Sequence, residues 1–308
     1  MRGAAVESRT LGQAIDLAAR DLAAAGIAGP RHEARLLVGH ATALKAEQLL
    51  AYPDRTIDTP GLRRLRGLVR RRASRQPMAQ VLGHREFWSL TFKVTEAVLA
   101  PRPESETVVE AVLAAAISRS GRDAPRRILD LGTGTGCLLL ALLEDLPGAR
   151  GVGVDISAAA VAVARENARC LGLAARARFL VGDWGRALGG QFDVIVANPP
   201  YIPDQDIAGL QPEVRCFEPR LALTGGADGL DAFHAIGPDI ARLLAPGGFV
   251  ALEIGAGQAE AVSTMLRDAG LGQIRVHADL AGRPRCAVAT ALDKPMRGKE
   301  ETSWKSVG

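Results

Sequence analysis

The tetrapeptide Asn198-Pro199-Pro200-Tyr201 brings together an amide that can both donate and accept, two residues with fixed φ, and an aromatic ring. It follows Val194 to Ala197, a short apolar run of the kind that forms a buried parallel strand. The Asn198 side-chain oxygen and a backbone carbonyl of the Pro199-Pro200 segment can each accept one N–H. The prolines keep those acceptors preorganised, and Tyr201 can cover a flat group held between them. For Pro-Pro alone, a proline-rich exit loop is the plainer account.

Three features upstream add to the tetrad. "ILDLGTGTGCLLL" sets Gly132, Gly134 and Gly136, with Thr133 and Thr135 between them, where a strand passes into a helix. Glycines there let backbone approach a ligand, and the helix start offers unpaired N–H groups. The GxGxxG dinucleotide pattern is not met, because position 137 is Cys and position 139 is Leu. A structural tight turn is the alternative. "RGVGVDIS" ends its strand in Asp155, where a carboxylate can accept both hydroxyls of a ribose. Asp155 could instead cap the next helix, with Ser157 as the rival cap. "VGDWG" places Asp183 to accept from an adenine amino group and Trp184 to lie against the ring, the alternative being a loop acid and a half-buried tryptophan.

All four features fall at carboxyl ends of successive strands, which fixes the architecture that must position them. From "RRILDL" onward, strand and helix patterns alternate, and a last strand pair turns through Gly282-Arg283-Pro284. The fold class expected is α/β, a doubly wound Rossmann-like sheet whose ligand crevice lies at those carboxyl ends. Helix "LDAFHAIGPDIARLLA" should close at Pro246-Gly247-Gly248, with strand "FVALEI" after it. Residues 1–76 read as helical: Thr10 with Gln13 makes a capping box, Pro30 opens a second helix, and Thr59-Pro60 a third bearing the Leu62, Leu65, Val69 stripe. Residues 77–102 read as a strand pair turning near Gly83-His84, residues 103–292 as the catalytic domain, and residues 293–308 as a frayed polar tail.

In order and type, these motifs are similar to those of S-adenosylmethionine-dependent methyltransferases, and the tetrad belongs to members that methylate a nitrogen conjugated to a π system. The whole chain resembles the release factor glutamine methyltransferase family through "LAPRPESE", "DLGTGTG", "GVDIS", "GDW", "NPPYIP" and "EPRLALTGGADGLDAF". The resemblance implies S-adenosylmethionine as cofactor, touched by residues 132 to 136, Asp155, Trp184 and Asn198. It also implies a glutamine amide, in the Gly-Gly-Gln loop of peptide chain release factors, held by Asn198 to Tyr201. Ser105 stands where the family usually has Thr, and Phe87-Trp88-Ser89 where it often has Phe-Tyr-Gly. Two alternatives stand beside this: a ribosomal-protein glutamine methyltransferase, opposed by Pro101-Arg102-Pro103-Glu104, and a DNA adenine methyltransferase, opposed by the lack of room for a target-reading domain.

With 308 residues, 47% hydrophobic and 23% charged, the chain can bury sizeable cores. No run approaches the roughly 18 apolar residues of a membrane span. Cys137, Cys170, Cys216 and Cys286 show no ligand spacing and are expected to be reduced and mostly buried; no metal, no nucleic acid, a monomer and a cytoplasmic location are expected. "PRPESE" can simply start a helix or form part of a substrate loop. The seven arginines in "RRLRGLVRRRASR" suit a solvated face or a surface for an acidic partner.

Overall fold

The computed structural model describes residues 9–291, so the tail expected over 293–308 lies outside the described residues. A two-residue strand β1 (Arg9–Thr10) leads into helix α1 (Leu11–Ala24). Thr10 Oγ accepts from the Gln13 N–H at 3.3 Å while the Gln13 side chain accepts from Thr10 N–H at 3.1 Å, the reciprocal cap the sequence predicts. Helix α2 (Pro30–Thr42) carries its proline in the first turn, where no N–H is lost. Helix α3 (Ala46–Ala51) and strand β2 (Thr56–Ile57), which pairs with β1, precede α4 (Thr59–Ala73). Leu62, Leu65 and Val69 of α4 bury against Leu11, Leu22 and Leu37 in one apolar cluster.

The linker differs from its predicted form. Residues after Pro77 first make helix α5 (Met78–Leu82), closed by Gly83 in the left-handed region at φ 80°. Strands β3 (His84–Phe87) and β4 (Leu90–Lys93) then pair antiparallel, with the turn at Trp88-Ser89 and not at Gly83-His84. Trp88 and Ser89 both adopt positive φ, 52° and 58°, which gives a two-residue loop the twist that a hairpin needs.

A short 3-10 turn at Pro103–Ser105 opens α6 (Glu106–Ser120). There follow β5 (Arg126–Leu131), α7 (Cys137–Asp145), β6 (Ala149–Asp155), α8 (Ala158–Cys170), β7 (Ala177–Val181), β8 (Phe192–Ala197), α9 (Pro212–Phe217), α10 (Asp231–Leu243), β9 (Leu244–Glu253), α11 (Ala259–Asp268), β10 (Leu271–Ala278) and β11 (Pro284–Ala291). The sheet order is β7-β6-β5-β8-β9-β11-β10, with the first five strands parallel and the last hairpin antiparallel. Helices α6, α7 and α8 cover one face and α10 and α11 the other, each over its own apolar cluster. Strand β9 starts earlier than predicted: Leu244 already pairs with Phe192, and Ala245 to Gly248 bulge out before Phe249 resumes opposite Val194. The cysteines are unpaired as expected, but only Cys286 is buried; Cys170 and Cys216 are exposed.

One arginine of the basic helix joins the two regions. Arg72, 6% exposed, pairs with Glu33 of α2 at 2.6 Å and with Glu213 of α9 at 3.0 Å, while Arg75 reaches Glu213 at 2.8 Å. Arg72 is therefore neither solvated nor free for a partner, whereas Arg63, Arg66 and Arg70 stay exposed. Removing one member of a buried pair strands the other's charge. Arg72→Met, which keeps an apolar stem, should cost about 3 kcal/mol of stability, seen as a lower urea midpoint.

Candidate active site

Strands β5 and β8 lie side by side and parallel, with Leu131 opposite Ala197. The chain runs outward from β5 through β6 to β7, then returns to add β8 on the other flank, so the switch point falls between β5 and β8. The residues after each strand, Gly132 and Asn198, therefore emerge next to each other. A cavity of about 430 Å³ opens there. Among its lining residues are Gly132, Thr133, Gly134, Thr135, Asp155, Asp183, Trp184, Asn198 and Pro200. Gly136, Pro199 and Tyr201 are not among them.

The glycine turn is held from below and behind. Gly132, Gly134 and Gly136 have φ of 72°, 54° and 82°, which side chains rarely adopt. The Gly132 and Thr133 N–H groups donate to Val154 O at 2.9 Å each, and the Trp184 ring lies so close that a Cβ on Gly132 would meet it at 3.3 Å. Gly136 is the buried member, facing Leu140, Ala164 and Phe179. On α8, Asn167 donates to Thr135 O at 2.9 Å and accepts from Lys93 N–H at 2.7 Å, fastening the turn to the end of β4.

Asp155 accepts from Gly134 N–H at 2.8 Å and Ser157 N–H at 2.9 Å, so its carboxylate is fixed while it borders the cavity. Ser157, not Asp155, caps α8, accepting from Ala160 N–H at 3.2 Å. Asp183 is ion-paired with exposed Arg186. Its neighbour Trp184 has a left-handed φ of 49° and packs half-buried on the core.

In the tetrad, the Asn198 side-chain nitrogen donates to Ser105 Oγ at 3.1 Å. The carbonyls of Pro199 and Pro200 accept no hydrogen bond among the described residues. Pro199 is buried, and the Tyr201 hydroxyl donates to Glu253 Oε1 at 3.1 Å. Gln258 donates to both Tyr201 O at 3.0 Å and Gly229 O at 3.1 Å, and Ile202 bridges Thr224, so the backbone after the tetrad is laced to the "TGGADG" loop.

Several residues here were given no site role from sequence. Arg102 lines the cavity and pairs with buried Glu218, which also accepts from Ala100 N–H at 3.4 Å. Asp130, 1% exposed at the end of β5, accepts from Thr133 Oγ at 2.6 Å through Oδ2. Its Oδ1, near the Leu139 N–H, has no hydrogen bond of good geometry. Burial pushes the Asp130 carboxyl up to about 7, against the Thr133 hydrogen bond and with help from the Asp155 charge. An acid closing an apolar strand just before a glycine turn was the available signal for Asp130. Glu218 opens the quoted stretch "EPRLALTGGADGLDAF", whereas nothing local marks Glu253.

A doubly wound sheet in this order, with its cavity at the switch point, defines a class I methyltransferase. A family model described as "Methyltransferase domain" matches residues 123–275, and one described as "PrmC N-terminal domain" matches residues 13–83. A solved structure of the hMettl16 catalytic domain in complex with MAT2A 3'UTR hairpin 6 shares the fold, at TM-score 0.53 and 16% identity over 74% of this chain and 83% of that one. The chain belongs to the release factor glutamine methyltransferase family. It is 48% identical to the Rhodospirillum rubrum release factor glutamine methyltransferase over 91% of this chain and 84% of that protein, and 48% identical to that of Moorella thermoacetica over 91% and 98%.

The raised carboxyl of Asp130 has a consequence for stability. With a folded-state value of about 7 against an ordinary 3.8, the folded protein holds a proton that the unfolded chain has lost between those pH values. This contribution is complete below pH 3.8 and is lost as pH rises to about 7. In melting curves, the midpoint of Asp130→Asn relative to the parent should rise from pH 5 to pH 8; a constant offset would contradict the buried acid.

Proposed function

We infer that this site transfers a methyl group from S-adenosylmethionine to the side-chain amide nitrogen of the glutamine in the Gly-Gly-Gln loop of peptide chain release factors. The observation that carries the reading is a single cavity bordered on one side by the Gly132 turn and Asp155, and on the other by Asn198 and Pro200. The family membership supports the same activity. Such an enzyme works in the cytoplasm as a monomer on a protein partner, without nucleic acid.

The residues present fit the cofactor. A buried carboxylate oxygen of Asp130 without a well-formed partner suits a cationic ligand, the fixed Asp155 carboxylate suits a diol, and Val98, Leu138, Val154 and Ile156 offer apolar walls. Gly132 to Gly136, Asp155, Asp183, Trp184 and Asn198 would hold it, with Gly136 acting through the turn it supports. When bound, S-adenosylmethionine supplies an electrophilic methyl on a sulfonium.

The chain's own task is to present the nitrogen. Asn198 Oδ1 and a carbonyl of the Pro199-Pro200 segment accept the two N–H groups of the substrate amide, holding its plane while the nitrogen lone pair is aimed across the cavity. Those acceptors strengthen as the N–H groups become acidic in the transition state, so they lower the barrier more than they tighten substrate binding. The cationic nitrogen is strongly acidic and gives its proton to water, which is why no ionisable base is needed in contact with it. Tyr201 serves from outside the cavity, anchoring the tetrad through Glu253.

Asn198→Ala should reduce kcat on the order of a hundredfold with little change in KM for the release factor. Asp155→Ala should weaken S-adenosylmethionine binding by roughly 1.5–3 kcal/mol, measured by calorimetry. We further propose that residues 1–76 dock the substrate protein through exposed Arg63, Arg66 and Arg70. Reversing these to Glu should raise KM and flatten its salt dependence while leaving kcat at saturation. The deciding assay offers labelled S-adenosylmethionine with release factor, its Gln→Ala loop variant, ribosomal protein and duplex DNA. Label should appear on intact release factor alone; label on DNA, or equal label on the loop variant, overturns the reading.

A further inference from the structure

The amide of Asn198 can present either its oxygen or its NH2 to the cavity, and only the oxygen can accept a substrate N–H. Something must choose between them. The Asn198 nitrogen lies 3.1 Å from Ser105 Oγ, and Ser105 is 2% exposed, in the 3-10 turn that precedes α6. A hydroxyl can donate or accept, so this contact alone does not fix the amide. The next link does. Glu253, 1% exposed at the end of β9, receives the Tyr201 hydroxyl on Oε1 at 3.1 Å. The Ser105 hydroxyl borders the same carboxyl but leaves Oε2, a buried oxygen, without a hydrogen-bond partner of its own.

We propose that Ser105 and Glu253 are positioning residues that set the orientation of the Asn198 amide by fixing the direction of a hydrogen-bond chain. The inference rests on the methyl-transfer reading above and deepens it. A carboxylate only accepts, so both neighbouring hydroxyls direct their protons toward Glu253. Ser105 Oγ is then left with lone pairs and accepts from the Asn198 NH2, which turns Oδ1 to the reacting amide. The chain draws one residue from each of three segments: the 3-10 turn before α6, the loop after β8 and the end of β9. Burial raises the Glu253 carboxyl above its ordinary value, opposed by the Ser105 and Tyr201 hydroxyls and by Arg285, so those donors also help to keep it an acceptor. A neutral side-chain amide at 253 would carry its own N–H donors, which can reverse the chain.

The test uses full-length enzyme with release factor as substrate and reads kcat, KM and cofactor affinity separately. Ser105→Ala should lower kcat about tenfold with KM and S-adenosylmethionine affinity within twofold of the parent, while Ser105→Thr, which keeps the hydroxyl, should recover kcat to within twofold. Glu253→Gln, nearly isosteric, should lower kcat by a similar factor. In an Asn198→Ala background, Ser105→Ala should cause no further loss, because its effect passes through the missing amide. A Ser105→Ala enzyme with parental kcat, or one that loses the same factor with and without Asn198, overturns the proposal. Should Glu253→Gln fail to fold, the Ser105 variants and the double mutant decide alone. If the parent itself fails to label release factor, it is the methyl-transfer reading that falls.

Discussion

The parallel pairing of β5 with β8 is the constraint on which the site depends. These strands are far apart in sequence yet adjacent in the sheet, because the chain builds outward to β7 before returning to the other flank. Ile128 to Leu131 run beside Val194 to Ala197, each of these residues buried. A slip of one residue would turn both apolar sets the wrong way, so the register is strongly specified. That register places Gly132 beside Asn198, and so brings the turn fit for a cofactor against the tetrad fit for a planar amide. Asp130 apart, neither strand brings a reactive side chain to the cavity. Their contribution is a fixed distance between two loops, which is how α/β sheets create sites at switch points.

Holding those loops falls to residues spread widely along the chain. Asn167 of α8 links Thr135 to the linker backbone at Lys93, so the hairpin after α5 braces the glycine turn. Ser105 reaches Asn198 from the segment before α6, and Gln258 ties the Tyr201 carbonyl to Gly229 from the segment before α11. These are buried or half-buried polar contacts, and such networks specify geometry more than they add stability. The prolines of the tetrad act in the same sense, because a segment with fixed φ has fewer ways to relax away from its acceptors.

What could be seen in sequence follows the range of the interactions. The Thr10 capping box, Pro30, the stripe on α4 and the alternating strands and helices were legible, because they depend on neighbours a few residues apart. So were the four loop motifs, because strand ends dictate where they must lie. The linker was misread where two signals competed: Gly83 is a turn residue by type, but here it closes α5, and the hairpin turns at Trp88-Ser89 by adopting positive φ at two non-glycine residues. Arg72 looked like one more charge on a basic helix, and its burial depends on Glu213, which lies in another region of the chain. Tyr201 was legible as part of the tetrad, but not the direction of its hydroxyl, which is set by Glu253 on another strand. Partners distant in sequence leave no local trace.

The segment between β8 and α10 shows why the helical region belongs to the enzyme's mechanics. At Glu213 it is bound to Arg72 and Arg75, and Gln80 donates to Phe217 O at 3.0 Å. At Glu218 it is bound to Arg102 and to the backbone of Ala100. Pro219, Leu221, Ala222 and Thr224, which follow directly, line the cavity. One wall of the cavity is thus tied by buried or half-buried ion pairs to residues that precede the catalytic sheet. Burial makes these pairs costly to break one partner at a time, so the helices and the wall hold one relative placement. If the exposed arginines of α4 grip a protein substrate as proposed, that substrate is held in the same frame as Asn198. Its loop then needs to search only a small volume to find the acceptors, and that restriction lowers the entropic part of the barrier without any added contact at the reacting nitrogen.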